Sequence, residues 1–327
     1  MKIFYHTDDD GQCAAAIVYR ELRNIFEPVT DDDIIPYSHT GEIATVEFKI
    51  IEHVYIVDLS LDDTIFNKVI KPAVNAGSTV VHIDHHQTTL DYMKSMTDED
   101  RSIMDKVKMF YKIGLSGTML TWVYALMNED ERMNPSEVLF DFTDGFTHVA
   151  FNVGKNNMRE YNIPDVIRFI DDNDVWRHEL DDTKYFSLGF QMEEDKTPTA
   201  KVWDNLIYSS NSRETYAYVN NGKLLWDYQT AQNNRNMKNA FESNAFGVKC
   251  LCLNGYGNSR IFGDKFDEYP MVCRFNYDGS ANKWRYSLFS SEKYSEPVDV
   301  SVIAKTYGGG GHCHAAAFIV DEFIFGK

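Results

Sequence analysis

Val80-Val81-His82-Ile83-Asp84-His85-His86-Gln87-Thr88 joins an apolar run directly to an acid and two histidines. Its β-branched run suits a pleated, buried surface and predicts a strand. The run ends in Asp84, His85 and His86, three groups able to ligate a metal, at the point where a buried strand should stop. In an open α/β sheet, ligands bind just beyond the carboxyl ends of the strands. A histidine pair on a solvated loop is the bland alternative, and the rest of the chain decides between the two.

Upstream, the same pattern occurs twice more. The run 1–5 is a short apolar strand that leads into His6-Thr7-Asp8-Asp9-Asp10-Gly11, and the Ala-rich segment behind it is a good helix former. Gly11 lets the backbone turn tightly under the acids, and the alternate residues Asp8 and Asp10 can converge on one site. A second apolar run, 54–57, ends in Asp58. Asp62 or Asp63 is placed to cap a helix running toward Ala76, and Gly77 sits where a helix stops. This β-α-β-α-β succession predicts a parallel sheet with crossover helices. The acids Asp31-Asp32-Asp33 lack a histidine and a strand before them, and read as a loop.

Between 87 and 164 the signals are mostly helical. A strand is expected over 107–113, a Ser-capped helix over 116–126, a helix start at Pro135, and a loop over the Asn-rich stretch 152–162. Pro164 begins a helix that runs into Asp171-Asp172-Asn173-Asp174-Val175-Trp176. The stretch 197–241 is long, polar and helical. Strands are then expected over 248–253, 271–275, 284–289 and 317–320, with a helix over 300–306 before Gly308-Gly309-Gly310-Gly311-His312. The fold class is α/β: an N-terminal doubly wound parallel-sheet domain (1–190), a helical connector (191–245) and a smaller C-terminal α/β domain (246–327).

Composition narrows the function. The 327 residues are 43% hydrophobic, enough for a sizeable core. No apolar run approaches the ~20 residues of a membrane span, and the N-terminus does not read as a secretion signal, so a cytoplasmic protein is expected. Five cysteines without a C-x-x-C pair argue against a zinc ribbon or a disulfide framework. A net charge of −18 and no basic run disfavour tracking of long nucleic acids. A small anionic substrate is compatible with that charge if cations offset it locally.

The strand-end groups supply such a place. His6, Asp8, Asp10, Asp58, Asp84, His85, His86 and one of Asp172 or Asp174 converge on one edge of a parallel sheet. Alone, the carboxylates would repel one another and take up protons. Two divalent ions balance four of them and make hydroxide accessible near neutral pH. Imidazole with carboxylate, and no thiolate, points to Mn²⁺, with Mg²⁺ or Co²⁺ as substitutes.

In order and context, His6-x-Asp8-x-Asp10-Gly11, the lone Asp58, Asp84-His85-His86 and Gly308–His312 resemble the DHH phosphoesterase superfamily, and 298–305 is similar to the start of that family's C-terminal, DHH-associated domain. The resemblance spans residue 6 to about residue 320. It implies that His6 and Asp8 hold one metal, that Asp10, His85 and the fourth-motif acid hold the other, and that Asp58 bridges them. It implies that His86 approaches the phosphate or supports the site, and that Asp84 orients a histidine. The D-x-W arrangement looks like the oligoribonuclease branch and favours Asp174 as the fourth acid. Gly309, Gly310, Gly311 and His312 would meet a phosphate or terminal nucleotide. Phe289 stands where the family often carries Arg, leaving Arg285 or Arg260 as candidate substitutes.

The branch resemblance implies hydrolysis of short oligonucleotides or dinucleotides to 5′-mononucleotides. Cyclic dinucleotides and 3′-phosphoadenosine-type phosphoesters are the alternatives, and a non-catalytic nucleotide binder is the alternative from another class. A homodimer is compatible with the sequence. Tyr256, Phe262 and Trp284 are candidates for base stacking, though ordinary packing is the simpler expectation for each.

Overall fold

In the computed structural model, residues 1–22, 29–38, 42–152, 158–209 and 212–325 are described. The chain divides into two compact units, Met1–Lys223 and Leu224–Lys327.

The N-terminal unit is built on five parallel strands: β1 (Lys2–His6), β2 (Ile34–Tyr37), β3 (His53–Val57), β4 (Thr79–Asp84) and β5 (Lys108–Tyr111). Their order is β2-β1-β3-β4-β5. The reversal of strand order falls between β1 and β3, which is the switch point where such sheets bind ligands. Both faces are covered, because successive side chains alternate across a strand. Ile3, Tyr5, Val57 and Ile83 pack on one side with helix α1 (Asp9–Ile17) and helix α2 (Gly117–Leu126). Phe4, Val54, Ile56 and Val80 pack on the other with Ile65, Phe66 and Val69. The expected doubly wound sheet is therefore present.

Local signals act as their chemistry requires. Asp62 Oδ1 accepts from Ile65 N at 2.7 Å and starts the helical run 63–76, whose middle turn, Phe66–Ile70, is π-helical. Gly77 ends that run with φ +84°, a conformation other residues adopt at a cost. Ser116 caps α2, its Oγ accepting from Met119 N.

Three expectations need correction. Pro135 opens only a 3₁₀ turn, Pro135–Glu137, and β6 (Phe140–Thr143) follows. With β7 (His148–Asn152) and β8 (Met158–Asn162) it forms an antiparallel sheet, β6-β7-β8. Alternation of Phe140 and Phe142 with polar neighbours carries this strand, and the Pro signal outweighed it in the sequence reading. The stretch expected as a loop over 152–162 is thus strand at 158–162, while 153–157 lies outside the described residues. Asp31–Asp33, expected as a loop, is a 3₁₀ turn, and Asp33 accepts from Lys2 Nζ at 2.9 Å.

The boundary between the units falls inside the stretch read as a connector. Trp203, Leu206, Ile207 and Val219 are buried in the N-terminal core, so its first part packs as core. Helix α3 (Asp165–Asp174) and the long helix α4 (Arg213–Asn236) complete the elements used below. No helix among the described residues is long and apolar enough to cross a membrane.

The C-terminal unit is a six-stranded mixed sheet in the order β13-β14-β12-β11-β10-β9. Its strands are β9 (Phe241–Ser243), β10 (Cys250–Asn254), β11 (Met271–Asp278), β12 (Lys283–Phe289), β13 (Gly310–His312) and β14 (Ala315–Val320). Only β10 and β11 pair in parallel; the other pairings are antiparallel. Helix α5 (Val300–Thr306) packs its Val300 and Ala304 on one face with Tyr286 and Phe318. The expected glycine loop is half strand: Gly310–His312 is the edge strand β13. A Cβ on Gly309 would lie 2.2 Å from the Ala317 carbonyl, and one on Gly311 would lie 2.5 Å from that of Ala315. These glycines therefore let the edge strand close against β14.

Candidate metal centre

Each metal-site candidate of the N-terminal unit sits at the carboxyl end of a strand or the start or end of a helix. His6 closes β1, and Asp8 caps α1 by accepting from Gly11 N at 3.0 Å. The turn between them is tight: a Cβ on Gly11 would stand 2.2 Å from the His6 carbonyl. His6 Nδ1 lies 2.7 Å from Asp8 Oδ2 and 3.9 Å from Asp58 Oδ2. The Asp8 carboxylate raises the pKa of His6.

Asp58 follows β3 with φ +54°, a left-handed conformation that costs a non-glycine residue about 1–3 kcal/mol. It turns into the start of α2, where a Cβ on Gly117 would lie 2.5 Å from Asp58 Cβ. Glycine at 117 is thus the condition for Asp58 to occupy its place.

Asp10 is buried in the first turn of α1 and aimed at the same helix start. Its two oxygens accept from Gly117 N at 2.7 Å and Thr118 N at 2.8 Å. Unsatisfied N–H groups at a helix N-terminus favour a carboxylate there. His85 Nε2 stands 3.1 Å from Asp58 Oδ1, 3.5 Å from Asp174 Oδ2 and 3.9 Å from Asp10 Oδ2.

Three overlapping triads result, each with its ligand atoms within 4.8 Å of one another: His6, Asp8 and Asp58; Asp58, His85 and His86; Asp10, His85 and Asp174. Asp58 and His85 are each shared by two triads. The electrostatics fit a cation. Burial, and then repulsion from Asp10, Asp8 and Asp174, pushes the Asp58 carboxyl well above the usual range. Burial, followed by Asp10 and Asp8, pushes Asp174 up to about 8. Asp174 Oδ2 is buried with no hydrogen-bond partner among the described residues. An orphaned carboxylate oxygen amid like charges is what a divalent ion would satisfy.

The three acids at the end of α3 have separate uses. Asp171 accepts from Ser116 N at 2.7 Å and from the Arg177 guanidinium at 2.7 and 2.9 Å. Asp172 accepts from Glu179 N, Leu180 N and the Thr183 hydroxyl, fixing the following loop. Asp174 alone of the three stands among the strand-end groups that could hold a metal ion. Trp176, two residues on, is 81% exposed with φ +55°.

Asp84 and His86 form a linked pair. His86 Nδ1 lies 2.7 Å from Asp84 Oδ1, and Thr89 donates its hydroxyl to the other oxygen. Burial opposes ionisation of Asp84, but the His86 and Thr89 bonds outweigh it and hold the carboxyl at about 2. Asp84 is sealed from solvent, and His86 stands between it and the surface of the site. Tyr111 donates to the His86 carbonyl at 2.9 Å and fixes this turn from β5. Asp8, Asp9, Asp10 and Asp174 also line a 260 Å³ cleft together with Phe169 and Phe186.

In the C-terminal unit, His312 is exposed on β13, and Arg285 on β12 reaches Asp278 only at 3.8 Å. Arg260 lies over the Trp226 ring, 4.7 Å from its centroid. Phe262 is core, Trp284 packs on Phe323, and Tyr256 is 75% exposed.

The sequence reading missed the supporting groups: Gly117 and Thr118 under Asp10 and Asp58, Arg177 on Asp171, and Thr89 on Asp84. Ser116-Gly117-Thr118 before an apolar helix was a readable capping signal. That its donors meet acids from residue 10 is a tertiary fact.

No family model matches the chain. An uncharacterized protein of Acanthamoeba polyphaga mimivirus is 20% identical over 331 residues, covering 96% of this chain. The chain spans 66% of that relative's length. Among solved structures, a pGpG-specific phosphodiesterase, PggH, of Vibrio cholerae matches at 13% identity and TM-score 0.43, covering 98% of this chain and 92% of the other. An exonuclease RecJ bound to manganese matches at 14% identity and TM-score 0.42, covering 98% and 86%. RecJ of Thermus thermophilus in complex with Mn²⁺ matches at 13% and 0.43, covering 98% and 49%. At these values the function of this chain rests on its own residues.

Proposed function

We propose that this chain is a metal-dependent phosphodiesterase of the DHH type that hydrolyses short oligonucleotides, down to dinucleotides, to 5′-mononucleotides. The observation that carries the reading is the set of three overlapping ligand triads at the carboxyl ends of β1, β3 and β4, completed by Asp174. They coincide with the motif residues that resemble the superfamily.

His6 and Asp8 would hold one divalent ion, Asp10, His85 and Asp174 the other, and Asp58 would serve both. Divalent ions held there supply Lewis acidity: they neutralise phosphoryl charge and lower the pKa of water. Mn²⁺ suits the mixed imidazole and carboxylate donors. The chain's own groups do the rest. Gly117 N and Thr118 N hold the Asp10 carboxylate in place. Ionised Asp84 accepts from His86 Nδ1–H, which fixes the ring and leaves Nε2 to meet a phosphoryl oxygen or exchange a proton. The strongly negative chain disfavours long nucleic acids, which supports a short substrate.

Turnover of linear 2- to 24-mer RNAs and of cyclic dinucleotides, with and without Mn²⁺, tests the reading. Expected is Mn²⁺-dependent release of 5′-mononucleotides, fastest from the shortest linear chains. Faster turnover of cyclic di-AMP or di-GMP than of linear dimers would overturn the substrate. Full activity of Asp174→Ala would overturn the ligand set.

A further inference from the structure

Four sulfur-bearing side chains meet on one face of the C-terminal sheet. The parallel register of β10 and β11 sets Cys250 opposite Met271 and Cys252 opposite Cys273. Residues two apart on a strand share a face, so the four form a two-by-two patch. All four are fully buried, in the core that contains Tyr286, Leu288 and Phe318. Their alternating neighbours Leu251, Leu253 and Val272 pack in a separate cluster, which confirms the shared face. Three of the five cysteines are gathered here; Cys13 is in the core of the other unit, and Cys313 is exposed.

The thiols lean toward one another. Residues two apart on a strand are about 6.6 Å apart along it, yet Cys250 Sγ and Cys252 Sγ stand 3.7 Å apart. Two sulfurs bonded to one ion at about 2.3 Å, at tetrahedral to trigonal angles, stand about 3.8–4.0 Å apart. Packing alone asks here for small apolar groups, which alanine or valine would supply. Three thiols beside a thioether add a common affinity for soft metal ions. The donor set selects within that class. It holds neither imidazole nor carboxylate, zinc does not draw on a thioether, and a cubane or two-iron cluster takes four thiolates. A monovalent ion also suits the apolar surroundings, since two thiolates leave one net charge and the remaining sulfurs can donate as neutral groups. The patch lies one strand in from the sheet edge. That edge is β9, three residues long and mostly exposed, and its local opening gives an ion a way in.

We propose that Cys250, Cys252 and Cys273, with the Met271 thioether, form a binding site for a soft monovalent metal ion, copper(I) in type. As each sulfur–metal bond forms, the coordinating thiol gives its proton to solvent, and no electron is transferred. The site lies wholly within the C-terminal unit and shares no residue with the strand-end acids. Those acids offer hard donors, so the two places sort ions by softness. The inference does not depend on phosphoester hydrolysis.

The test uses the full chain, reduced, stripped of metal by EDTA and kept free of oxygen, titrated with copper(I) as its acetonitrile complex. Expected is a thiolate-to-copper charge-transfer band in the ultraviolet that saturates at one ion per chain, persists against a chromophoric copper(I) chelator and accompanies a raised unfolding midpoint. Cys250→Ser, Cys252→Ser and Cys273→Ser should each lose the chelator-resistant band, and Met271→Leu should weaken binding while keeping the band. Cys313→Ser and Asp58→Asn should leave both unchanged. Thermal unfolding shows whether each variant folds, and Ala replaces Ser where it does not. No saturable band in the wild type overturns the proposal whatever the variants do. So does a band that survives in all three core variants or vanishes in Cys313→Ser. Displacement of copper(I) by an equal concentration of Zn²⁺ overturns the choice of ion.

Discussion

The two units pose the same electrostatic problem with opposite sign. At the carboxyl ends of β1, β3 and β4, Asp8, Asp10, Asp58 and Asp174 crowd together with only histidines between them. On the open face of the C-terminal sheet, Arg274 is half-buried with only neutral acceptors. Elsewhere the chain pairs its buried charges with care: Asp171 has Arg177, and Asp172 has two N–H groups and a hydroxyl. Uncompensated charge in this chain is therefore local: a cluster of acids in one unit and a single guanidinium in the other.

The largest expected effect comes from Asp58, which two of the triads share. Asp58→Asn should cut Mn²⁺-dependent hydrolysis by on the order of 10²–10³-fold or more. The same substitution should raise the unfolding midpoint of the metal-free protein, because it removes a buried charge from like neighbours. For a unit of this size each kcal/mol relieved shifts the midpoint by roughly 2–4 °C. A lowered midpoint in EDTA would show that the Asp58 charge is compensated within the chain.

Next come the neighbouring acids of α3. Asp172→Asn should destabilise the chain by about 1–3 kcal/mol in urea unfolding, with or without metal, since its carboxylate is fully used by the loop. Asp174→Asn should leave metal-free stability equal or higher while weakening Mn²⁺ binding. If the two variants behave alike, the distinction between a structural acid and a ligand acid is wrong.

Supporting residues should act through the ligands. Gly117→Ala must displace Asp58, and Asp84→Asn must loosen His86; each is expected to lower Mn²⁺ affinity or activity by about 10–100-fold. A separation of kcat from KM distinguishes them: a ring that has lost its orientation lowers kcat, with substrate affinity little changed.

The smallest effect belongs to a charge that already has its partner. Asp33 accepts from Lys2 and Thr30, and burial is outweighed by these bonds, so its carboxyl is held at about 2 against 3.8 when unfolded. A depressed folded pKa gives stability that is present above pH ~4 and lost as pH falls toward 2. The pair is partly exposed, so Asp33→Asn should cost no more than about 1 kcal/mol. Acid unfolding of the variant should show that window flattened.

Much of this was legible in the residues. The strand-end acids and the D-H-H run could be read because a parallel sheet turns three sequence positions into one edge, a rule that needs no long-range detail. The antiparallel sheet of β6, β7 and β8 was not legible: Pro135 and an Asn-rich stretch are strong local turn signals, and only pairing with β7 makes strands of their neighbours. Only the family resemblance favours Asp174 over Asp172; the residues alone leave the two open, because the donors that occupy Asp172 come from residues 179–183, beyond the helix. Arg274 went unremarked for a similar reason. In Met271-Val272-Cys273-Arg274-Phe275-Asn276 an alternating Arg and Asn look like a solvated strand face, and only the fold shows that Arg274 is half-buried and Asn276 buried.

The central claim is that the strand-end acids of the N-terminal unit form a metal centre. Calorimetric titration of Mn²⁺ into EDTA-stripped protein tests it most directly. Two ions are expected to bind per chain, with at least one lost in Asp58→Asn and one in Asp174→Asn, and the unfolding midpoint is expected to rise on binding. No saturable Mn²⁺ binding, or binding of equal stoichiometry and affinity in both variants, would contradict it.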